Sequence, residues 1–139
     1  MATPPITDTL TSPVHTDSDV LFRVEQLIDV TYRFRQSLWL FFLDANQAPL
    51  PVVVPIEDVP DDPDPELVGN LCWIIAEVLA SSQPDGSVVI TLTRPGPPVP
   101  GPADRVWHGR LRDAALAQNA RIRMMCLATP DGAVPLVGA

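Results

Sequence analysis

Residues 87–123 read SVVITLTRPGPPVPGPADRVWHGRLRDAALAQNARIR, which combines a short apolar strand, a proline-crowded loop and a helix. The strand is predicted to run from Ser87 to Thr93. The helix is predicted to begin at Pro102, because the fixed φ of proline suits the first helical turn. In α/β folds such strand-to-helix junctions gather ligands, since helix N-terminal amides and strand-end side chains converge there. This loop holds no histidine, cysteine or serine, so other residue types must supply any chemistry.

The pattern after the junction predicts a helix followed by two strands. Asn119 suits the left-handed residue that closes a helix. Residues 122–128 read as a strand, and 134–137 read as its return partner across a Pro-Asp-Gly turn. His108 falls opposite the apolar face of the helix and is predicted to be exposed to solvent. That apolar face is predicted to contain Ala103, Val106, Trp107, Leu111, Ala114 and Ala115.

The chain before the junction begins with a predicted helix. Asp17 or Ser18 can cap it, and apolar residues then recur every three or four positions, so the helix is expected to end near Arg33. The continuous apolar run 38–44 is typical of a strand covered on both faces. A second strand is predicted at 52–54, and the prolines around it remove ladder donors, which places this strand at an edge.

A longer helix is predicted between the second and third strands. Asp64, Pro65 and Glu66 supply a cap, a first-turn proline and an early acid in the preferred order. The apolar positions between Leu67 and Leu79 cover more than half of the circumference, so this helix is expected to pack on several sides. The acid-rich segment before it lacks the spacing of a cation-binding loop and is interpreted as solvated.

This order of elements predicts an α/β fold, with one mixed β-sheet packed by three helices. Residues 17–139 are expected to form a single domain. Residues 1–16 mix Thr, Pro, Ser and Asp without periodicity, so they are expected to be a flexible tail. His15 lies in that tail and is interpreted as a solvated bystander, because no ligand types with metal-site spacing surround it.

The composition narrows the classes of function. The formal net charge is -8 and the pI is about 4.4, so the surface repels phosphate backbones and no nucleic-acid partner is expected. Hydrophobic residues make up 46% of the chain, which leaves room for an apolar surface that a protein partner covers.

The two cysteines indicate the cellular compartment in which the protein is expected. Cys72 and Cys126 lie inside apolar runs, where a free thiol behaves as a small hydrophobe, and this pattern predicts buried, reduced cysteines. The sequence shows neither the order of a signal peptide nor an apolar run of about 18 residues. A cytoplasmic protein without a membrane partner is therefore expected.

The order of elements and several motifs resemble the JAB/MPN metalloprotease fold, in particular the RadC-type domain of bacteria. The likeness covers residues 17–137. The run 39–44, followed by Asn46, is similar to the family's apolar strand that ends in Leu-Asp. Residues 92–95 stand where the family has a His-x-His-Pro motif, and 111–114 are similar to its Leu-Arg-acid-Ala segment. The resemblance implies a JAB/MPN-like, cytidine-deaminase-like sandwich.

In that family two histidines and an aspartate hold zinc, a glutamate acts through the metal-bound water, and a loop serine steadies the transition state. The resemblance places Leu92 and Arg94 at the histidine positions, Gly96 at the serine and Asp104 at the aspartate. The glutamate's position falls near 52–54. Leucine offers no lone pair, and arginine carries a permanent positive charge where the cation belongs. The resemblance therefore implies a degenerate domain with no metal, no cofactor and no catalytic residue.

These residues are compatible with two functions. The first is a non-catalytic pseudoenzyme that serves as a protein-interaction or scaffold domain, with a homodimer as a natural form. The alternative is a small anionic-ligand or regulatory domain, in which Arg94, Arg105 and the helix N-terminus would hold a carboxylate or phosphate. Against that alternative, Arg94 can form a structural ion pair with Asp104. An active zinc isopeptidase is disfavoured, because at most one of three zinc ligands is present.

Overall fold

The computed structural model describes residues 12–137. In this part of the chain, three helices and one five-stranded mixed sheet form the fold, which confirms the predicted α/β class. A short 3-10 turn, Val30–Phe34, follows the first helix. The helices are α1 (Asp17–Leu27), α2 (Pro65–Ser82) and α3 (Pro102–Gln118). The strands are β1 (Ser37–Leu43), β2 (Pro49–Ile56), β3 (Ser87–Thr93), β4 (Ile122–Thr129) and β5 (Gly132–Pro135).

The strands lie in the order β2-β1-β3-β4-β5. Strand β1 runs antiparallel to β2 and β3, β3 runs parallel to β4, and β4 returns antiparallel in β5. A parallel pair requires a crossover connection, and the loop after β3 together with α3 provides it. As predicted, β3 is the central strand and β2 lies at an edge. The junction between β3 and α3 is thus at the middle of the sheet.

The side chains of the sheet alternate between two apolar cores on its opposite faces. On one face, Leu40, Ile90 and Leu127 pack with α2 and α3. On the other face, Phe41, Val89 and Cys126 pack with α1. Alternation of this kind follows from the two-residue period of a strand. The protein is therefore a three-layer sandwich with two helices on one face of the sheet and one on the other.

Helix α1 is shorter than its apolar pattern predicts. It ends at Leu27 and not near Arg33. The carboxylate of Asp29 accepts a hydrogen bond from the Thr31 N–H at 3.1 Å, which starts the 3-10 turn in a new direction. The N-cap also differs from the expectation, since Thr16 caps the helix and Asp19 completes a capping box.

Helix α2 begins after Asp64 as predicted, but the expectation that it packs on several sides is wrong. Leu67, Trp73 and Ile74 are 59%, 54% and 52% exposed. The helix packs on the sheet and on α3 through its buried residues, whereas these three side chains stay exposed. In α3, Val106 is 38% exposed, so its predicted place in the core is also wrong.

The start of the domain differs from the expected boundary at residue 17. Val14 is fully buried, and its N–H donates to the carbonyl of Gln47 at 2.9 Å. The expected tail therefore joins the domain before residue 17, and residues 1–11 lie outside the described part of the chain. Cys72 and Cys126 are free and buried, as predicted. None of the helices within residues 12–137 has the length and apolar character needed to cross a bilayer.

Candidate functional site

The candidate site lies where β3 ends and the proline loop begins. Arg94 directly follows the strand, and its N–H donates to the Ala128 carbonyl at 3.3 Å, which continues the ladder with β4 by one step. The Thr93 hydroxyl donates to the Arg35 carbonyl at 2.9 Å. The strand end is thus held on both sides, and the side chain of Arg94 leaves it from a fixed position.

Arg94 and Asp104 form a bidentate ion pair across this junction. The Nη2 atom of Arg94 lies 2.7 Å from Oδ2 of Asp104, and Nε lies 2.9 Å from Oδ1. The Asp104 carboxylate also accepts the Gly101 N–H at 2.7 Å, which caps the N-terminus of α3. The side chain of Asp104 is 4% exposed and that of Arg94 is 18% exposed. The pair therefore connects the strand, the loop and the helix in a partly dehydrated setting.

The remaining donors of Arg94 bind the loop backbone. Nη1 donates to the carbonyls of Pro95 and Pro97 at 2.9 and 3.2 Å, and Nη2 donates to the carbonyl of Val99 at 3.0 Å. A guanidinium has five N–H groups, and here one from Nε and two from each terminal nitrogen all have acceptors. Arg94 has no donor left for a ligand and holds the proline loop in place.

Gly96 allows the loop to wrap around this guanidinium. Its φ is +103°, a conformation that favours glycine, and a Cβ at this position would lie 3.1 Å from Nη1 of Arg94. The backbone conformation at this position therefore requires glycine. The conformation of the proline loop and the Arg94–Asp104 ion pair therefore depend on each other.

The ion pair shifts the protonation of both partners. Burial alone would raise the pKa of Asp104, but hydrogen bonds from Arg94 and Gly101 outweigh it and hold this pKa below its ordinary value. The hydrogen bond to Asp104 raises the pKa of Arg94. Both side chains therefore stay charged, and neither is suited to proton transfer near neutral pH.

The donor set at this junction does not fit a zinc ion. Leu92 is buried in the apolar core, and Arg94 is saturated with oxygen acceptors. No group of three or more His, Cys, Asp or Glu side chains among residues 12–137 is placed to hold a metal. A catalytic zinc needs three protein ligands and an open position, so Asp104 alone cannot supply the site.

Arg105 and the two histidines lie apart from the pair. Arg105 is exposed in the first turn of α3 and acts on Asp104 only through its charge. His15 is exposed and its main-chain N–H donates to Asp19. His108 is half-buried, which corrects the expectation that it is solvent-exposed. It lines a groove of about 410 Å³ with Arg112, and burial lowers its pKa.

A second feature, which the sequence reasoning missed, lies in the turn Val30–Phe34. Tyr32 and Phe34 are 55% and 61% exposed, whereas Arg33 between them is 6% exposed. The Arg33 guanidinium donates to the carbonyls of Glu25, Ile28 and Thr129 at 2.8 to 3.3 Å. The turn therefore buries its charge and presents its apolar side chains to solvent. The sequence VTYRF, with aromatics two residues apart around an arginine, is the signal that could have indicated it.

Tyr32 connects the turn to the part of the sheet that α1 leaves open. Helix α1 packs over β4 and β5. The rings of Tyr32 and Trp39 lie 5.6 Å apart, and Val53, next to β1 in the sheet, is half-buried. We call this surface the aromatic face. It comprises Val30, Tyr32, Phe34, Trp39 and Val53.

Comparisons with protein-family models, with curated proteins and with solved structures found no match for this chain.

Proposed function

We propose that this chain is a non-catalytic interaction domain on a JAB/MPN-like scaffold, and that it associates with a second copy through the aromatic face. The proposal continues the resemblance to RadC-type domains. That resemblance places Arg94 of this chain at the position of a zinc-binding histidine. Its compartment is the cytoplasm, where the free, buried thiols stay reduced. Nucleic acid is not its partner, because the net charge of -8 repels phosphates.

The inward orientation of Arg33 is the observation that carries the interaction proposal. A surface turn normally exposes its charged residue and hides its aromatics. Here four hydrogen bonds hold the guanidinium inside, so Tyr32 and Phe34 are kept exposed in a fixed arrangement. Exposed aromatic side chains that are already ordered lose little conformational entropy on binding.

The chemistry of the aromatic face favours self-association. A two-fold interface brings the same patch of both copies together, so any net charge within the patch would repel itself. The only charged side chain in the turn is Arg33, which is buried. Aromatic side chains are also enriched at the energetic centres of protein interfaces.

The Arg94–Asp104 pair supports the absence of catalysis. Its charges neutralise each other and its donors are satisfied within the chain. The anion-binding alternative would need at least one free donor on Arg94. Titration with inorganic phosphate checks this alternative. A rise in melting temperature that Arg94→Met abolishes would establish it, and we expect no rise.

Sedimentation velocity tests the self-association. The wild-type chain is expected to shift from monomer to dimer between about 1 µM and about 100 µM. The double variant Tyr32→Ser/Phe34→Ser is expected to stay monomeric over the same range. Leu116→Ser is the matched control, because Leu116 is 74% exposed on α3 and outside the aromatic face. A wild-type chain that remains monomeric at the upper concentration contradicts the proposed homodimer.

Metal analysis tests the pseudoenzyme part of the proposal. Protein purified without chelators and then dialysed against zinc is expected to retain less than about 0.1 equivalent of metal, because one carboxylate cannot complete a tetrahedral site. Stoichiometric zinc that is lost in Asp104→Asn would overturn the pseudoenzyme assignment.

A further inference from the structure

The exposed side of α2 and the edge strand β2 enclose an apolar groove on the sheet face opposite the aromatic face. We call it the α2/β2 groove. Leu67 and Ile74 form its outer wall at 59% and 52% exposure. Its other lining residues are Leu38, Ile56, Val59, Val68, Asn70, Leu71 and Trp107. The groove is nearly free of polar atoms, since Asn70 is the one polar residue along it.

The volume of the groove indicates whether it can enclose a small molecule or only the anchoring side chains of a partner. Its volume is about 190 Å³, below the roughly 300–1,000 Å³ of pockets that enclose small molecules. It can take side-chain anchors but not a whole cofactor. Leu67 and Ile74 lie seven residues apart on α2, which corresponds to about 10 Å, or two helical turns. A partner segment of similar length can lie along them.

An acidic segment of the chain borders one end of the groove. The segment 57–66 joins Ile56 on one wall to Leu67 on the other, and it contains six acidic and no basic residues. Asp62 is paired with Arg110 at 3.0 Å. None of the other five acids forms a salt bridge within residues 12–137, and all five are exposed. These five are Glu57, Asp58, Asp61, Asp64 and Glu66.

The acidic segment is fixed against the groove. The Trp107 indole N–H donates to the Pro60 carbonyl at 2.7 Å, and the Val59 N–H donates to the Gln36 carbonyl at 3.0 Å. Arg110 donates to the Pro63 carbonyl at 2.6 Å. The backbone that carries these acids is therefore held next to the apolar walls before any partner arrives, which reduces the ordering cost of binding.

The edge strand itself is unsuited to strand addition. Pro49, Pro51 and Pro55 lack the N–H donors that a further strand would need. Recognition in this groove must then rely on side chains, as when an amphipathic helix lays its apolar face into a groove. A second copy of this chain is disfavoured here, because it would place one acidic rim against another.

We infer that the α2/β2 groove binds a basic amphipathic helix of a partner protein, with Leu- or Ile-type anchors at i, i+3 or i+4, and i+7. Lysine or arginine residues flanking those anchors face the acids of segment 57–66. This inference rests on the proposed function as an interaction domain and names one partner class for it. The groove and the aromatic face lie on opposite faces of the sheet, so a homodimer can bind two such helices.

Fluorescence anisotropy with two synthetic peptides of about 15 residues tests the inference. Both carry Leu at the anchor spacing, and the other positions are mainly Lys in one peptide and Glu in the other. The basic peptide is expected to bind at least about tenfold more tightly than the acidic one. Raising NaCl from about 0.05 M to about 0.5 M should weaken its binding, because the rim charges are solvent-exposed.

Variants then locate the binding surface. Leu67→Asn/Ile74→Asn and Asp58→Asn/Asp61→Asn are each expected to weaken binding of the basic peptide about tenfold or more. Leu116→Ser is expected to leave it unchanged. Thermal unfolding of each variant confirms that the fold is retained.

Other outcomes overturn the inference and can be told apart from failure of the proposed function. Equal affinity for both peptides, no binding at all, or unchanged binding in Leu67→Asn/Ile74→Asn refutes the basic helix. If such a result accompanies an intact wild-type dimer, the interaction domain stands and the groove assignment alone is wrong. Loss of the dimer in Leu67→Asn/Ile74→Asn would make the groove the self-interface and also refute it.

Discussion

The guanidinium of Arg33 donates to the main-chain oxygen of Thr129 at 3.3 Å, although 96 positions separate the two residues in the chain. The same side chain also bonds the carbonyls of Glu25 and Ile28. It thereby joins the end of α1, the 3-10 turn and the end of β4. The exposure of Tyr32 and Phe34 is a consequence of this anchoring.

Replacement of Arg33 tests that anchoring. Arg33→Met is expected to lower the free energy of unfolding by about 2 kcal/mol or more, because buried carbonyl groups lose their donors. It should also weaken self-association, since the turn is no longer held. Arg35→Met is the control, because Arg35 is exposed and its side chain should change stability by less than about 0.5 kcal/mol. Urea denaturation and sedimentation measure both effects. Equal stability of the two variants would contradict the role of Arg33.

The Arg94–Asp104 pair should behave as a structural unit in mutagenesis. Arg94→Met alone leaves the carboxylate of Asp104 buried without its partner, and is expected to cost on the order of 3 kcal/mol of unfolding free energy. The double variant Arg94→Met/Asp104→Leu should be more stable than Arg94→Met, because no uncompensated charge remains. Urea denaturation of the wild type, both single variants and the double variant gives the coupling energy. Additive losses would show that the pair is not coupled.

The acid dependence of stability should report the lowered pKa of Asp104. Because its folded pKa lies below its ordinary value of 3.8, the charged carboxylate stabilises the fold above that pH. The contribution is lost as pH falls through the folded pKa. The stability difference between wild type and Asp104→Asn is therefore expected to be largest near about pH 7 and to shrink toward about pH 2. Urea midpoints across this range measure it. A difference that grows on acidification would contradict the assignment.

Replacement of Gly96 by alanine should be costly, in contrast to replacement of the glycines inside α2 and α3. Gly96→Ala is expected to lose about 1 kcal/mol or more, because alanine is strained at a φ of +103° and its Cβ meets Arg94. Gly69→Ala and Gly109→Ala are controls in α2 and α3, where a Cβ meets nothing within 4 Å. These two are expected to gain about 0.5–1 kcal/mol from higher helix propensity. Thermal unfolding ranks the three variants, and a neutral Gly96→Ala would argue against the strained loop.

Both thiols should be inert in the native protein. Burial raises the pKa of Cys72 to about 11 and that of Cys126 to about 12, and the thiolate is the reactive form. At about pH 8, modification by a disulfide reagent is expected to be at least about 100-fold slower in the native protein than in denaturant. Rapid native labelling of either cysteine would contradict its burial.

Local signals accounted for most of the secondary structure. Asp64 and Pro65 start α2 as expected, Pro102 starts α3, and Asn119 adopts the left-handed conformation with φ of 58°. Each of these positions depends on the backbone preferences of one residue and on its immediate neighbours. The spacing of the apolar residues likewise predicted the strands and the central position of β3.

The errors concern burial more than secondary structure. Ile74 was expected to be packed and is exposed, while His108 was expected to be exposed and is half-buried. Helix α1 stops early because Asp29 bonds Thr31 and redirects the chain. An apolar period indicates which face of a helix can be covered, but not how much of that face finds a neighbour.

At the candidate site, the residue types argue against a zinc site, since neither the leucine nor the arginine side chain can act as a metal ligand. They left open whether Arg94 would bind Asp104 or share an external anion with Arg105. The separation of ten residues between Arg94 and Asp104 is compatible with both arrangements. Only the folded loop, which directs the carbonyls of Pro95, Pro97 and Val99 toward the guanidinium, uses every donor.

The amino-acid sequence alone indicates an acidic α/β domain with a central apolar strand and a stiff proline loop. It also shows that the junction after this strand contains no histidine. Those properties are local or compositional, so they can be read without knowing where distant segments lie. Which side chains stay uncovered was set by packing across the sheet. The buried position of Arg33 and the exposed walls of the α2/β2 groove depend on neighbours that are remote in the chain, and solvent exposure is a property of the assembled layers.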